Sequence, residues 1–233
     1  MKNSMNHRFI YFNLFFIVSI VSAQPTFTEH AISTSADGAY DVHAVDVDGD
    51  GDMDVLSAST QDDKIAWYEN DGSESFTEHA ITTSADGAHS VHAADVDGDG
   101  DMDVLSASTQ DDKIAWYEND GSESFTEHVI STSADGAYDV HAADVDADGD
   151  LDVLSASYYD DKIAWYENDG SENFTEHAIS TSADGARSVH AADVDGDGDM
   201  DVLSASQYDD KIAWYENDGS ESFTEHVIST SAD

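Results

Sequence analysis

Asp46-Val47-Asp48-Gly49-Asp50-Gly51-Asp52-Met53-Asp54-Val55-Leu56-Ser57-Ala58-Ser59 joins an acidic run to a short apolar one. It recurs from Asp95, Asp144 and Asp193, with Ala147 and Leu151 replacing a glycine and a methionine in the third copy. Around it, Phe-Thr-Glu-His begins at Phe27, Phe76, Phe125, Phe174 and Phe223, each 49 residues after the last. The units 27–75 and 76–124 differ only at Ser33/Thr82, Tyr40/His89, Asp41/Ser90 and Val45/Ala94. A repeat of this length is one supersecondary module that buries its faces against its neighbours.

Each unit reads as four short strands. In the first they are 41–45, 55–59, 64–69 and 75–81, and the acidic turn 46–54 separates the first two. Asn70-Asp71-Gly72 is a strong turn signal, and the 84–87 Ser-Ala-Asp-Gly stretch leads to the next unit. Alternating patterns, β-branched and aromatic residues, and turns every few residues indicate antiparallel sheet, with no sustained helical period. Four strands per unit is the blade signature of a β-propeller. The expected fold is therefore all-β: a β-propeller-type array of four-stranded antiparallel blades at about 40–82, 89–131, 138–180 and 187–229. A D-like extra strand is expected at 27–33. The last blade already has its own fourth strand, so that extra strand completes nothing. The array then reads as an incomplete or open propeller, whose bare faces and edges invite self-association.

The chain has 233 residues, with 52 Asp and Glu against 7 Lys and Arg, for a formal charge of −45. Its 39% hydrophobic content supports a core despite that charge. The absence of cysteine excludes disulfide scaffolds, thiolate metal sites and cysteine nucleophiles. The charge would repel nucleic acid and anionic membrane, and it favours cations that prefer oxygen ligands. Lys2 and Arg8, the apolar stretch 9–21 and Val21-Ser22-Ala23 read as a secretory signal peptide over residues 1–23. No later stretch approaches a membrane span. The domain 24–233 is thus expected outside the cytoplasm, secreted or at the cell surface, with no membrane insertion after cleavage.

The acidic run has the pattern Asp-x-Asp-x-Asp-Gly-x-x-Asp. Carboxylates at its positions 1, 3, 5 and 9 can converge on one cation where a glycine at position 6 allows a sharp bend. Position 7 adds its backbone carbonyl, and water completes a shell of hard oxygens suited to calcium. The expected ligands are Asp46, Asp48, Asp50, Asp52 and Asp54; Asp95, Asp97, Asp99, Asp101 and Asp103; Asp144, Asp146, Asp148, Asp150 and Asp152; and Asp193, Asp195, Asp197, Asp199 and Asp201. That is about one calcium per repeat, four in all. Magnesium would demand a tighter octahedral cage. An EF-hand would place a glutamate at position 12, where this chain has Ser57, and would flank the loop with helices.

This run, followed by Asp-Asp-Lys-Ile-Ala-Trp-Tyr-Glu-Asn-Asp-Gly, resembles the FG-GAP/VCBS repeats of secreted bacterial proteins and, more distantly, the N-terminal propeller of integrin α subunits. The resemblance spans the whole mature chain. It implies calcium-stabilised blades with the metal loop between the first two strands. It also implies side-chain ligation by Asp46, Asp48, Asp50 and Asp54, with Asp52 giving its carbonyl. The Phe-Gly and Gly-Ala-Pro residues behind the family name are missing here, which places the chain nearer the bacterial branch.

Trp67, Trp116, Trp165 and Trp214 occur once per unit, and their strict repetition points to packing between blades. His43, His79 and their copies read as packing or hydrogen-bonding groups. The units differ mainly at 40–41, 89–90, 138–139 and 187–188, and at 60–61, 109–110, 158–159 and 207–208. Both sets fall at the blade end opposite the acidic loop. Loops on a rigid scaffold carry function, so this end is the expected ligand face, with Tyr138, Tyr158, Tyr159, Arg187 and Tyr208 its most distinctive residues. Neutral drift in exposed turns is the competing reading.

Three functions follow. The first is a calcium-binding adhesion or glycan-binding module whose partner is a glycan or cell-surface protein. The second is the propeller scaffold of a polysaccharide-active enzyme. The third is a passive spacer in a larger surface protein. The carboxylates are abundant but all repeated, whereas a catalytic site needs one asymmetric constellation, so no catalytic residue is assigned.

Overall fold

The computed structural model describes residues 27–232, so the expected leader over 1–23 lies outside the described residues. The compact unit that carries every strand spans Ile32–Asp233. Its first sheet is formed by β1 (Ala39–Val45), β2 (Asp54–Ser59), β3 (Lys64–Asn70) and β4 (Phe76–Thr82). The second has β5 (Ala88–Ala94), β6 (Asp103–Ser108), β7 (Lys113–Asn119) and β8 (Phe125–Ser131). The third has β9 (Ala137–Ala143), β10 (Asp152–Ser157), β11 (Lys162–Asn168) and β12 (Phe174–Ser180). The fourth has β13 (Ala186–Ala192), β14 (Asp201–Ser206), β15 (Lys211–Asn217) and β16 (Phe223–Ser229). Each sheet is an antiparallel meander in chain order. The four expected blades are therefore present, with boundaries within a residue or two.

Residues 27–33 form no strand, which corrects the expected extra one. They share all but their last residue with β4, yet β4 exists because it pairs with β3, Trp67 opposite His79. Among the described residues no strand pairs with 27–33, and unpaired backbone gains nothing by extending.

The sheets pack face to face in sequence, with the first strands β1, β5, β9 and β13 side by side. Three buried clusters fill the three junctions. The first joins Val47, Leu56, Ile65 and Trp67 of sheet one to Ala88, Val91, Val104 and Tyr117 of sheet two. The second and third repeat it one and two units on. Trp67, Trp116 and Trp165 are fully buried here, so the once-per-unit tryptophan is a packing residue, as its repetition suggested. Each also carries a stacked histidine from the next strand, His79 on Trp67 at 4.6 Å between ring centroids. Glu69 holds that histidine at 2.8 Å. Among the described residues no buried cluster joins sheet four to sheet one, and the array is open.

Hydrogen bonds tie the junctions at both ends. Asn119 Nδ2 donates to Met102 O in its own sheet at 3.1 Å and to Val47 O of the preceding acidic loop at 3.2 Å. Asn168 and Asn217 repeat this with Val96 O and Val145 O. At the opposite end Gly87 N donates to the Asp63 carboxylate at 3.0 Å, and Gly136 and Gly185 repeat that contact with Asp112 and Asp161.

Along the inner strands, His43, His92, His141 and His190 form a column of tilted rings with centroids 4.9, 4.6 and 4.4 Å apart. Burial and the neighbouring imidazoles push His92 down to about 3 and His141 down to about 4. Burial also lowers His43, although Asp41 opposes it. Between these values and the ordinary histidine value near 6.5, the unfolded chain binds more protons than the folded one. This contribution to stability is complete above about pH 6.5 and is lost as pH falls toward about 4. Denaturant melts in saturating calcium should show stability falling over that window. The double variant His92→Gln/His141→Gln should flatten the slope, and an unchanged slope would refute the column as its source.

Candidate metal centres and an aromatic rim

Each acidic loop lies between the first two strands of its sheet and is wound by its own carboxylates. In the first loop Asp50 N donates to Asp48 at 3.1 Å, Asp52 N to Asp50 at 2.8 Å and Gly51 N to Asp46 at 3.0 Å. These short-range turns are what aspartate does best outside helices. Gly51, at position 6, has φ of 97°, a conformation L side chains rarely adopt. In the third loop Ala147 takes φ of 64°, where the other loops have glycine.

The loops gather their carboxylates. Oxygens of Asp46, Asp48 and Asp50 lie within 4.8 Å of one another, as do those of Asp95, Asp97 and Asp99, of Asp144, Asp146 and Asp152, and of Asp193, Asp195 and Asp197. These clusters could hold a metal ion. A second observation points the same way. Oδ1 of Asp46, Asp95 and Asp144 is buried with no hydrogen-bond partner. An orphaned buried carboxylate oxygen is costly, and a cation is the partner its neighbours would also accept. Burial, reinforced by the adjacent carboxylates, raises Asp48, Asp97 and Asp146 above the usual carboxylate range. The donor set is all hard oxygen, which fits calcium.

The last two aspartates of the loop, at positions 7 and 9, do different work. Asp54 is fully buried and accepts Val47 N–H at 3.0 Å and Asn70 N–H at 2.8 Å. Its copies Asp103, Asp152 and Asp201 accept the corresponding pairs. Burial pushes Asp103 and Asp152 up to about 6 even though these bonds favour the charged form. The position-9 aspartate thus pins the loop to the third strand. The side chain at position 7 leaves the cluster. Asp52, Asp101, Asp150 and Asp199 each lie against the glycine of the Asn-Asp-Gly turn, so close to Gly72 that a Cβ there would sit 2.4 Å from Asp52 Oδ2. That orientation suits the backbone role expected at position 7.

The fourth loop differs. Asp193 accepts Gly196 N–H at 2.7 Å, a tighter turn than in the first loop. Among the described residues no asparagine side chain reaches its Val194 carbonyl, and Val194 is 44% exposed where Val47 is 4% exposed.

The opposite end holds the varying residues. Ala39 pairs with Ser59 but Asp41 with Ala58, so Tyr40 is an extra residue in a β-bulge. His89, Tyr138 and Arg187 occupy the same bulge in the other sheets. A bulge re-aims its side chain, and here it turns one per blade onto the rim. Tyr40, His89 and Tyr138 meet as tilted rings, 3.6 Å between successive centroids. Tyr158 stacks on Tyr138 at 5.2 Å and its hydroxyl donates to that of Tyr208 at 2.5 Å. The Arg187 guanidinium lies over Tyr138 and Tyr158 at 4.7 and 5.0 Å. Tyr159 meets Tyr158 edge-on and, like Tyr208, is more than 60% exposed. The five expected face residues therefore come together in one cluster, which Tyr40 and His89 extend. The bulge that places them was not visible in the sequence, because it is a property of pairing.

The second residue of each pair in the first set lies in a strand rather than a turn, which corrects that part of the expectation. Asp41, Ser90, Asp139 and Ser188 lie in the inner strands and alternate in type. Ser90 donates to Asp41 at 3.2 Å and to Asp139 at 2.9 Å, and Ser188 donates to Asp139 at 3.0 Å. These residues link blade to blade.

A profile for FG-GAP-like repeats matches residues 46–106, 95–155, 144–204 and 193–233. The chain belongs to the FG-GAP-like repeat family. The four matches begin at the acidic loops, so the family's unit boundary coincides with the carboxylate clusters. No curated protein matches this FG-GAP-like chain in sequence. Solved structures of β-propeller type do resemble it. An Agrocybe aegerita lectin that recognises non-reducing terminal N-acetylglucosamine aligns with TM-score 0.58 at 17% identity, covering 82% of this chain and 53% of the lectin. A candidate 6-phosphogluconolactonase of Bacteroides uniformis gives 0.56 at 16% identity, covering 82% and 56%. A Lactobacillus plantarum protein gives 0.53 at 18%, covering 75% and 52%. At such identities the likeness is one of fold. The FG-GAP-like chain spans about half the length of these structures.

Proposed function

We propose that this FG-GAP-like array is a secreted, calcium-stabilised recognition module, with calcium structural and the aromatic rim as ligand face. The observation that carries the calcium assignment is the buried, partnerless Oδ1 at position 1, inside a cluster of further carboxylates. Asp46, Asp48 and Asp50 and their copies hold the ion, with the position-7 carbonyl and, in the third loop, Asp152. The ion neutralises charge that the loop otherwise concentrates and locks the loop on which the next blade's asparagine hangs. The reading assigns no catalytic step.

For the rim, the supporting feature is a row of tyrosines braced by Arg187. Aromatic faces with hydroxyl edges suit the apolar face and hydroxyl rim of a sugar. A lectin of the same fold makes glycans the first ligand class to test. Binding of the calcium-loaded chain to a glycan array should be lost in Tyr158→Ala/Tyr159→Ala with the melting temperature nearly unchanged. Undiminished binding would remove these residues from the ligand face.

A further inference from the structure

We propose that the open face of sheet four docks head to tail on the open face of sheet one in a second copy of this chain. The junction would be a fourth copy of the interface already made three times within the chain. On sheet four, Val194, Leu203, Ile212 and Trp214 are the counterparts of Val47, Leu56, Ile65 and Trp67, which are buried against sheet two. None of the four is buried, and Ile228 beside them is 59% exposed. On sheet one, Val42 is 68% exposed where its counterpart Val91 is 3% exposed. The two bare surfaces are thus the two halves of one known apolar contact.

The polar groups continue across the same junction. Asp139 accepts a serine from the sheet before it, Ser90, and one from the sheet after it, Ser188. Asp41 has only the later one, Ser90. The alternation Asp41, Ser90, Asp139, Ser188 ends on a serine and begins on an aspartate, so Ser188 of one copy meets Asp41 of the next in register. Asparagine gives the same result. Asn119, Asn168 and Asn217 each donate a side-chain N–H to the preceding acidic loop, whereas the Asn70 side-chain amide donates only to Met53 O of its own sheet. The Val194 carbonyl of the other copy completes the series. A contact between unlike faces closes into a ring or extends into a chain.

The test is the mass in solution of the calcium-loaded chain, by sedimentation or light scattering over a concentration series. Val42→Glu blocks the face of sheet one and Ile228→Glu that of sheet four. Both sites are exposed in a single copy, so circular dichroism and melting should be unchanged. The expected result is a two-copy or larger mass for the unaltered chain and a one-copy mass for each variant alone. An equimolar mixture of the variants should form a one-to-one pair, because each retains the face the other lacks. A one-copy mass for the unaltered chain at every concentration would overturn the proposal. So would association that survives both variants, or variants that never pair on mixing up to the highest concentration reached.

Discussion

Adding millimolar calcium to the chelator-treated chain is expected to raise its melting temperature by about 10–20 °C. The figure follows from mass action. A site held at about 20-fold excess over its dissociation constant stabilises the fold by about 1.8 kcal/mol. Three well-formed loops then contribute about 5 kcal/mol, and a chain of this size gains about 2–4 °C per kcal/mol. The direction rests on the clusters at Asp46, Asp95 and Asp144, each with a buried oxygen that lacks a partner. The fourth loop, with Val194 exposed and no asparagine fastening it, should bind more weakly. Magnesium at equal concentration should give a smaller shift, since it holds its water more tightly and wants a smaller cage. Calorimetric melts in chelator, calcium and magnesium check this, and equal shifts for the two ions would argue against a calcium-type site.

The second large effect separates the two jobs within one loop. Asp103 is fully buried and accepts the Val96 and Asn119 N–H groups at 2.9 and 2.8 Å. Asp103→Ala orphans both donors and detaches the loop from β7. Each buried unsatisfied group costs about 1–3 kcal/mol, so the loss should be about 3–5 kcal/mol even in chelator. Asp99 is exposed and bonds only within the loop, to Asp101 N–H. Asp99→Asn keeps that bond and should leave the chelator-treated chain within about 0.5 kcal/mol of the parent, as exposed sites usually do. It should reduce the calcium-induced shift by about one site's worth. If both variants lost stability only in calcium, position 9 would be a metal ligand and nothing more.

Much of this fold is legible in the sequence because a blade is a local object. Period-two alternation, the Asn-Asp-Gly turn and the 49-residue recurrence fixed sixteen strands to within a residue or two. The carboxylate clusters were legible for the same reason, since their spacing falls within one nine-residue loop. What escaped lies between blades. Residues 27–33 carry the letters of a fourth strand but pair with no third strand among the described residues. Tyr40, His89, Tyr138 and Arg187 owe their rim position to a bulge that only the β1–β2 ladder and its copies reveal. The Asp-Ser alternation looked like drift until neighbouring inner strands placed Ser90 between Asp41 and Asp139. Asn119 read as a turn residue, yet its side chain fastens the preceding acidic loop. A unit's own sequence describes its interior, while its contacts depend on which copy lies alongside.

Direct measurement of bound calcium tests the central claim most simply. Isothermal titration of the metal-free chain 24–233, with ion content checked by elemental analysis, reads affinity and stoichiometry together. Three ions bound tightly and a fourth more weakly, with loss of one ion in Asp99→Asn, is the predicted result. A chain that keeps its full sheet content and melting temperature in chelator while binding no calcium would contradict it, leaving the acidic loops as solvated turns.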